Sequence, residues 1–343
     1  MSDIKINNIT NRNGDNGPTI AGVSTVSTSA FMVMPSGNTE IRGAGSGRGV
    51  FGGGLAPSNI NILGFITIAS TGNAQDFGDL SSARRFPAAL ASSTRGLFGS
   101  GLNDTIIDYV TISSSGGAND FGDKKRSGFS ASGLSNNTRG IFAGGYHPSG
   151  AIFRKTMEFV TIATTGDAND FGELSQGGCH IGACASPTRG ILMGASVSES
   201  PTIVNTIEFI TIATTGDAQD FGDLTAPTDE AASVSSQTRA LVGGGDSPSN
   251  ANITNKIEFV TIATTGNAQD FGDLSDGRSR LGSCSGTTRG VFVTGQSGEP
   301  ATYSNLIDYV TIATGGDATD FGDALVAGFE QSGCADVHGG LGD

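Results

Sequence analysis

With 343 residues, 54 of them glycine, no tryptophan and only 15% charged side chains, the chain favours many short strands joined by tight turns over one large core, because glycine accepts the backbone conformations that such turns need. A formal net charge of −14 repels phosphate backbones, so no nucleic-acid partner is expected. No apolar run approaches the ~20 residues of a membrane span, so no membrane partner is expected, and the opening "MSDIKINNIT" lacks the apolar stretch of a secretory signal.

Residues 1–45 come first and differ in kind from the rest. They are rich in Asn, Thr, Ser and Gly, with too few apolar residues to fold alone. They are expected to form an extended arm, packed on the remainder of the chain or on a partner.

From residue 46 to residue 343 the chain repeats. The phrase "DFG" recurs at Asp76, Asp120, Asp170, Asp220, Asp270 and Asp320, in steps of 44, 50, 50, 50 and 50 residues. Ahead of each lies a β-branched phrase such as "GFITIAS", "DYVTISS" or "EFVTIAT". Ahead of that lies a phrase opening on arginine and running into small residues, at Arg48, Arg95, Arg139, Arg189, Arg239 and Arg289. A small-residue phrase such as "GFSASG" or "RLGSCSG" precedes most of these arginines. Each unit thus predicts four antiparallel strands: small-residue, arginine, "EFVTIAT" and "AQDFGDL". "TTGN" or "TTGD" supplies the turn before the last of them.

Four strands in about fifty residues is the pattern of a propeller blade. The first repeat has no convincing small-residue strand, whereas the chain finishes with a spare one in "GFEQSGCADVHGGLGD". The spacing therefore predicts an all-β, six-bladed propeller closed by the segment Phe329–Ala335, set innermost in the blade that Arg48 begins. A seventh blade stays open as an alternative, because "VHGGL" aligns with another arginine strand and "AFMVMPSGNTEI" offers further strand material.

The glycines ending the second strand, with an aromatic early in the third, resemble the kelch repeat, although the kelch tryptophan is absent. "RGVFGGG" (48–54), "FVTIATTGNAQDFGDL" (259–274) and "HGGLG" (338–342) resemble, more closely, kelch-like repeat proteins of tailed bacteriophages, notably marine ones. Residues 6–43 are similar to the leader of many phage tail-fibre and other virion structural proteins. The resemblance implies a virion location, as a tail-fibre, spike or decoration component. It further implies attachment to other virion proteins through residues 1–45, contact with a host-surface glycan or receptor, and assembly as a homo-oligomer. A glycan-binding adhesin is the alternative.

No catalytic residue, cofactor site or metal site is expected. Six copies of one arginine and one aspartate suit structure better than catalysis, which needs a single constellation. Arg–Asp pairing within or between blades is the expected role of the two rings. "GDANDFGE" hints at a calcium loop through Asp167, Asn169 and Glu173, but Phe171 stands where a ligand would be needed, so a capped turn is expected. The cysteines Cys179, Cys184, Cys284 and Cys334 form no CxxC pair and read as small buried thiols. His180 reads as a loop residue. The connection after the second strand varies most between repeats, which nominates Tyr146, His147, Phe153 and Tyr303 as contact residues.

Overall fold

A computed structural model describes residues 47–343, apart from 102–103, 198–202, 249–251, 299–301 and 342–343. The arm of residues 1–45, and with it "AFMVMPSGNTEI", lies outside the described residues. The rest is a six-bladed β-propeller, with no α-helix among the described residues. Its architecture is compatible with a kelch-like propeller.

Blades 2 to 6 each run outward from the axis in chain order. Blade 2, for example, is Ala88–Ala91, Arg95–Gly99, Ile106–Thr111 and Asn119–Asp123, all antiparallel. Blade 1 breaks the order. Its inner strand is Ser332–Ala335, paired with Arg48–Gly52 in the register Val50↔Cys334, and Ile62–Thr67 and Gln75–Asp79 complete it. The ring is closed as the spare C-terminal strand requires. "VHGGL" does not begin a seventh arginine strand. Residues Gly339–Leu341 make a buried 3₁₀ turn instead.

Each repeated residue has a packing reason. Inner strands must be small because six of them converge on the axis. The glycine after five of the six arginines (Ala240 follows Arg239) gives room to the preceding blade: a Cβ on Gly140 would meet Leu90 Cδ1 at 2.4 Å, and one on Gly290 would meet Val234 Cγ2 at 2.4 Å. Cys184, Cys284 and Cys334 occupy that same inner-strand position, opposite Ile191, Val291 and Val50. All four cysteines are free and buried.

"DFG" is a β-bulge. In blade 4, Ile207 faces Gly222 and Glu208 faces Asp220, so Phe221 is the extra, unpaired residue. The bulge drives Phe221 into the layer between blades, edge-on to Phe209 at 6.1 Å. The glycine after it adopts φ near +149° and lies against the next blade's turn. That turn bonds back: Gly266 N–H donates to Phe221 O (2.8 Å) and Ala268 N–H to Asp223 O (2.8 Å). Every outer strand is covered in this way, through to Gly72 N–H on Phe321 O (2.8 Å). The blades therefore expose no free outer edge for another strand to pair with along these residues.

Candidate functional site

The arginine and aspartate rings do not pair with one another. Each arginine spans a blade boundary to the backbone of its neighbour. Arg48 Nη1 donates to Ile112 O (3.0 Å), Arg139 to Ile212 O (3.0 Å), Arg239 to Ile312 O (3.2 Å), and Arg289 closes the circle on Ile68 O (3.1 Å). Arg95 and Arg189 likewise reach Ile162 O and Ile262 O. Every guanidinium also lies over the aromatic of its own third strand, at 4.3 Å for Arg48 on Phe65 and 4.8 Å for Arg95 on Tyr109.

Asp76, Asp120, Asp170, Asp220, Asp270 and Asp320 are exposed instead. Of these, Asp170 takes Lys125 and Arg126. The acid that joins blades is in the third strand, two residues before its β-branched end. Asp108, Glu158, Glu208, Glu258 and Asp308 each accept the backbone N–H that follows the preceding blade's outer strand, from Ser81, Lys125, Ser175, Thr225 and Ser275. Two are also in fully buried ion pairs, Arg84–Asp108 at 2.8 Å and Arg278–Asp308 at 2.6 Å.

The calcium-like loop has another use as well. Asp167 Oδ1 accepts the N–H of Asp123 (3.0 Å) in the neighbouring blade, and Asn267 Oδ1 does the same for Asp223 (3.1 Å). The Asn-or-Asp alternation at this position follows, since the bond needs one side-chain oxygen and no charge.

One face gathers the features that differ between repeats. Tyr146–His147 and Ile152–Phe153 form a small hairpin there, with Tyr146 T-shaped on Phe153 at 5.0 Å and on Phe129 at 5.4 Å. Tyr303 packs on Phe329 at 5.1 Å and keeps 38% of its surface exposed. His147 Nδ1 lies 3.2 Å from Ser149 O on the exposed hairpin. These connections pair with the residues just ahead of the inner strands, as in Phe129↔Tyr146, Cys179↔Ser196 and Leu55↔Phe329. The hairpins thus surround the mouth of the axial channel.

At that mouth stands a ring that the sequence pattern did not mark. Phe86, Ser130, His180, Glu230, Arg280 and Glu330 are equivalent residues, one per blade, each in the left-handed region with φ between 52° and 62°. None is glycine, and every one lines the channel. At five of the six junctions the N–H of one donates to the carbonyl of the last: Phe86 on Glu330 (3.0 Å), His180 on Ser130 (3.2 Å), Glu230 on His180 (3.2 Å), Arg280 on Glu230 (2.8 Å) and Glu330 on Arg280 (2.8 Å). This circle of amides offsets the conformational strain, of order 1–3 kcal/mol per residue. His180 lies in the bend before its inner strand, a loop residue as expected, and its side chain lines the channel.

The side chains of the ring form a network. Arg280 binds Glu230 at 2.7 Å and lies 3.8 Å from Glu330, which also faces Arg85 at 3.7 Å. His180 Nδ1 lies 3.7 Å from Glu230, and its ring is 5.0 Å from that of Phe86. Burial pushes Glu330 up to about 7 and His180 down to about 4. Behind Glu230, burial lifts Asp229 to about 7 and Asp246 to about 6. At the other end His338 closes the channel, with Nε2 2.9 Å from Ala91 O and 3.3 Å from Ser135 Oγ. The channel cavity, open at the hairpin face, is about 160 Å³. Among the described residues, no cluster of three or more His, Cys, Asp or Glu side chains is arranged to hold a metal ion.

Fold and site together define a closed propeller with a plugged axial channel, one face of which carries the non-repeated chemistry. Such a scaffold can mediate protein contact. No family model matches the sequence, and no curated protein matches it.

Proposed function

We propose that the protein is a non-catalytic structural component of a bacteriophage particle, held through residues 1–45 and presenting the propeller for contact with another protein or the host surface. One observation supports a contact scaffold above all. The residues that repeat hold the ring together, whereas the hairpins and the channel-mouth ring, where repeats differ, share a single face. Function on a fixed scaffold is carried by such segments. The particle itself is supported by the resemblance of residues 6–43 and 46–343 to phage structural proteins.

The test is incorporation. The full chain should be found in purified particles at a defined position, assembled as a homo-oligomer. A chain lacking residues 1–45 should stay out of them. A chain that remains in the lysate and never enters particles would refute the proposal.

A glycan-binding adhesin is the second reading, favoured by the aromatic line Phe86–Phe129–Tyr146–Phe153 that runs from the channel to the hairpin tip. Exchange of the 146–153 hairpin would then abolish binding to host polysaccharide. Unchanged binding would refute the hairpin as the recognition element.

A further inference from the structure

Five of the chain's 19 Lys and Arg gather at one place, the seam between blades 2 and 3. Lys124, Lys125 and Arg126 follow the outer strand of blade 2, where Leu174–Gln176 and Leu274–Asp276 follow those of blades 3 and 5. Arg154 and Lys155 precede the third strand of blade 3, where Val204–Asn205 and Thr254–Asn255 stand in blades 4 and 5. No other repeat carries a cation at any of these five positions. The fold brings the two stretches together, for Arg154 Nη2 donates to Ser127 O (2.9 Å) across 27 positions of chain. Burial, and then the guanidinium of Arg126 nearby, hold Arg154 below the usual arginine range. Counted with the carboxylates Asp123, Glu158, Asp170 and Glu173, the seam has a net charge of +1, whereas the same nine positions carry −3 to −5 at each of the other five seams. This seam alone does not repel an anion.

The five cations are not equivalent. Lys124 is buried on Ser100 Oγ (2.9 Å). Lys125 holds Asp170, and Arg126 holds both Asp170 and Glu158 at 3.0 Å. Arg154 and Lys155 enter no ion pair among the described residues. Each donates instead to a carbonyl, Ser127 O and Ser175 O (3.1 Å), and each keeps further N–H groups for a ligand, since a guanidinium has five and an ammonium three. Beside them stands the hairpin, with Phe153 next to Arg154 in the chain. The rings of Tyr146 and Phe153 meet edge to face at 5.0 Å and both stay partly exposed, and Ile152 keeps 46% of its surface open. Free cations beside apolar and aromatic surface suit a ring with C–H faces and an acidic substituent. A net charge of +1 within a chain of −14 suits a polymer with charges spaced one per sugar; a densely charged strand would be repelled by the flanking seams. An acidic peptide would use the cations and leave the rings idle.

We propose that the seam between blades 2 and 3 binds an acidic polysaccharide, with Arg154 and Lys155 on its carboxylate or sulfate groups and the Tyr146–Phe153 hairpin against its sugar rings. The site rests on the adhesin reading and narrows the ligand of that reading to an anionic one.

Calorimetry on the full chain at about 0.15 M salt tests it, with alginate, dextran sulfate, neutral dextran and poly-glutamate as probes. Alginate or dextran sulfate should bind, and which of the two binds more tightly identifies carboxylate or sulfate as the recognised group. Arg154→Gln should weaken binding about tenfold, as one lost charge-assisted hydrogen bond does. Lys155→Gln should weaken it about threefold, as befits an exposed charge. Lys256→Gln removes the same charge from the seam between blades 4 and 5 and should leave binding unchanged. Lys155 is exposed, so its variant remains informative should Arg154→Gln, which loses the bond to Ser127 O, fail to fold. Neutral dextran bound as tightly as dextran sulfate would overturn the proposal and leave the adhesin reading standing. Binding of poly-glutamate in place of the polysaccharides, or a loss with Lys256→Gln equal to that with Lys155→Gln, would overturn it too. If no polysaccharide binds, the adhesin reading falls with it.

Discussion

Arg278→Ala tests the idea that third-strand acids hold the blades together. Arg278 and Asp308 are both 0% exposed and meet at 2.6 Å, and the same guanidinium donates to Thr294 O (2.6 Å) and Leu306 O (2.9 Å). Truncation leaves Asp308 buried with only the Ser275 hydroxyl (2.8 Å) and backbone for company. Removing one partner of a buried pair costs about 3–5 kcal/mol, because the remaining charge is uncompensated. An unfolding entropy of about 2.1 cal/mol/K per residue, over roughly 300 residues, gives about 0.6 kcal/mol per kelvin. A loss of about 4 kcal/mol thus lowers Tm by about 6 °C. Urea titration followed by circular dichroism, with Cm and m both fitted, and scanning calorimetry should agree on this shift. Arg84→Ala should behave alike, since Arg84–Asp108 is the same device one third of the ring away. The double change Arg278→Met with Asp308→Leu should recover most of the loss, since an apolar pair carries no desolvation penalty. If Arg278→Ala costs less than about 1 kcal/mol, as an exposed pair would, the acids are not the joints we take them for.

Gly222→Ala should destabilise by about 2 kcal/mol or more, through strain at positive φ and a Cβ that would meet Gly266 O at 2.5 Å. Gly216→Ala, with nothing within 4 Å of the new Cβ, should stay within about 0.5 kcal/mol; both are read from urea midpoints. His338, pushed down to about 4 by burial against an ordinary 6.5, is neutral in the folded protein. The unfolded chain binds that proton first, so stability falls as pH drops from about 6.5 toward about 4. His338→Gln should lose less stability across that window, measured as the pH dependence of Tm. The four thiols are buried, and burial pushes Cys179, Cys184 and Cys284 up to about 12. An aromatic disulfide reagent should therefore label none of them in the native protein and all of them in guanidinium, and rapid native labelling would contradict the packing.

Much of the architecture could be read from the sequence because it is written in residue size and periodicity. "EFVTIAT" has to be a pleated strand, and a small-residue segment left over at one end has to go where one is missing. The contacts between blades were less visible. Arg239 and Asp220 suggest a pair by charge, yet the partner of Arg239 is the carbonyl of Ile312, and carbonyls leave no mark in a sequence. An acid stands at the position of Glu258 in five of the six repeats, with Gly64 in the first, but its role depends on blade twist bringing it beneath Thr225. The channel-mouth ring was hidden for another reason. Left-handed conformations are normally betrayed by glycine, and Phe86, His180 and Arg280 adopt them without it. The signal that remained was five different residue types among six copies of one repeat position. It becomes meaningful only once that position is known to face a cavity.

Closure of the ring has a consequence for biosynthesis. Arg48 N–H is bonded to Asp336 Oδ1 at 2.8 Å, across 288 positions of chain. While a ribosome is still making the later blades, the first one waits with its axial side unmatched, and the join forms only after almost the whole polypeptide has emerged. Pairings so distant in sequence are slow to form. A product terminated early would lack both the missing strand and the plug behind it, leaving it open to proteases. The seam makes full-length translation a condition for the folded molecule.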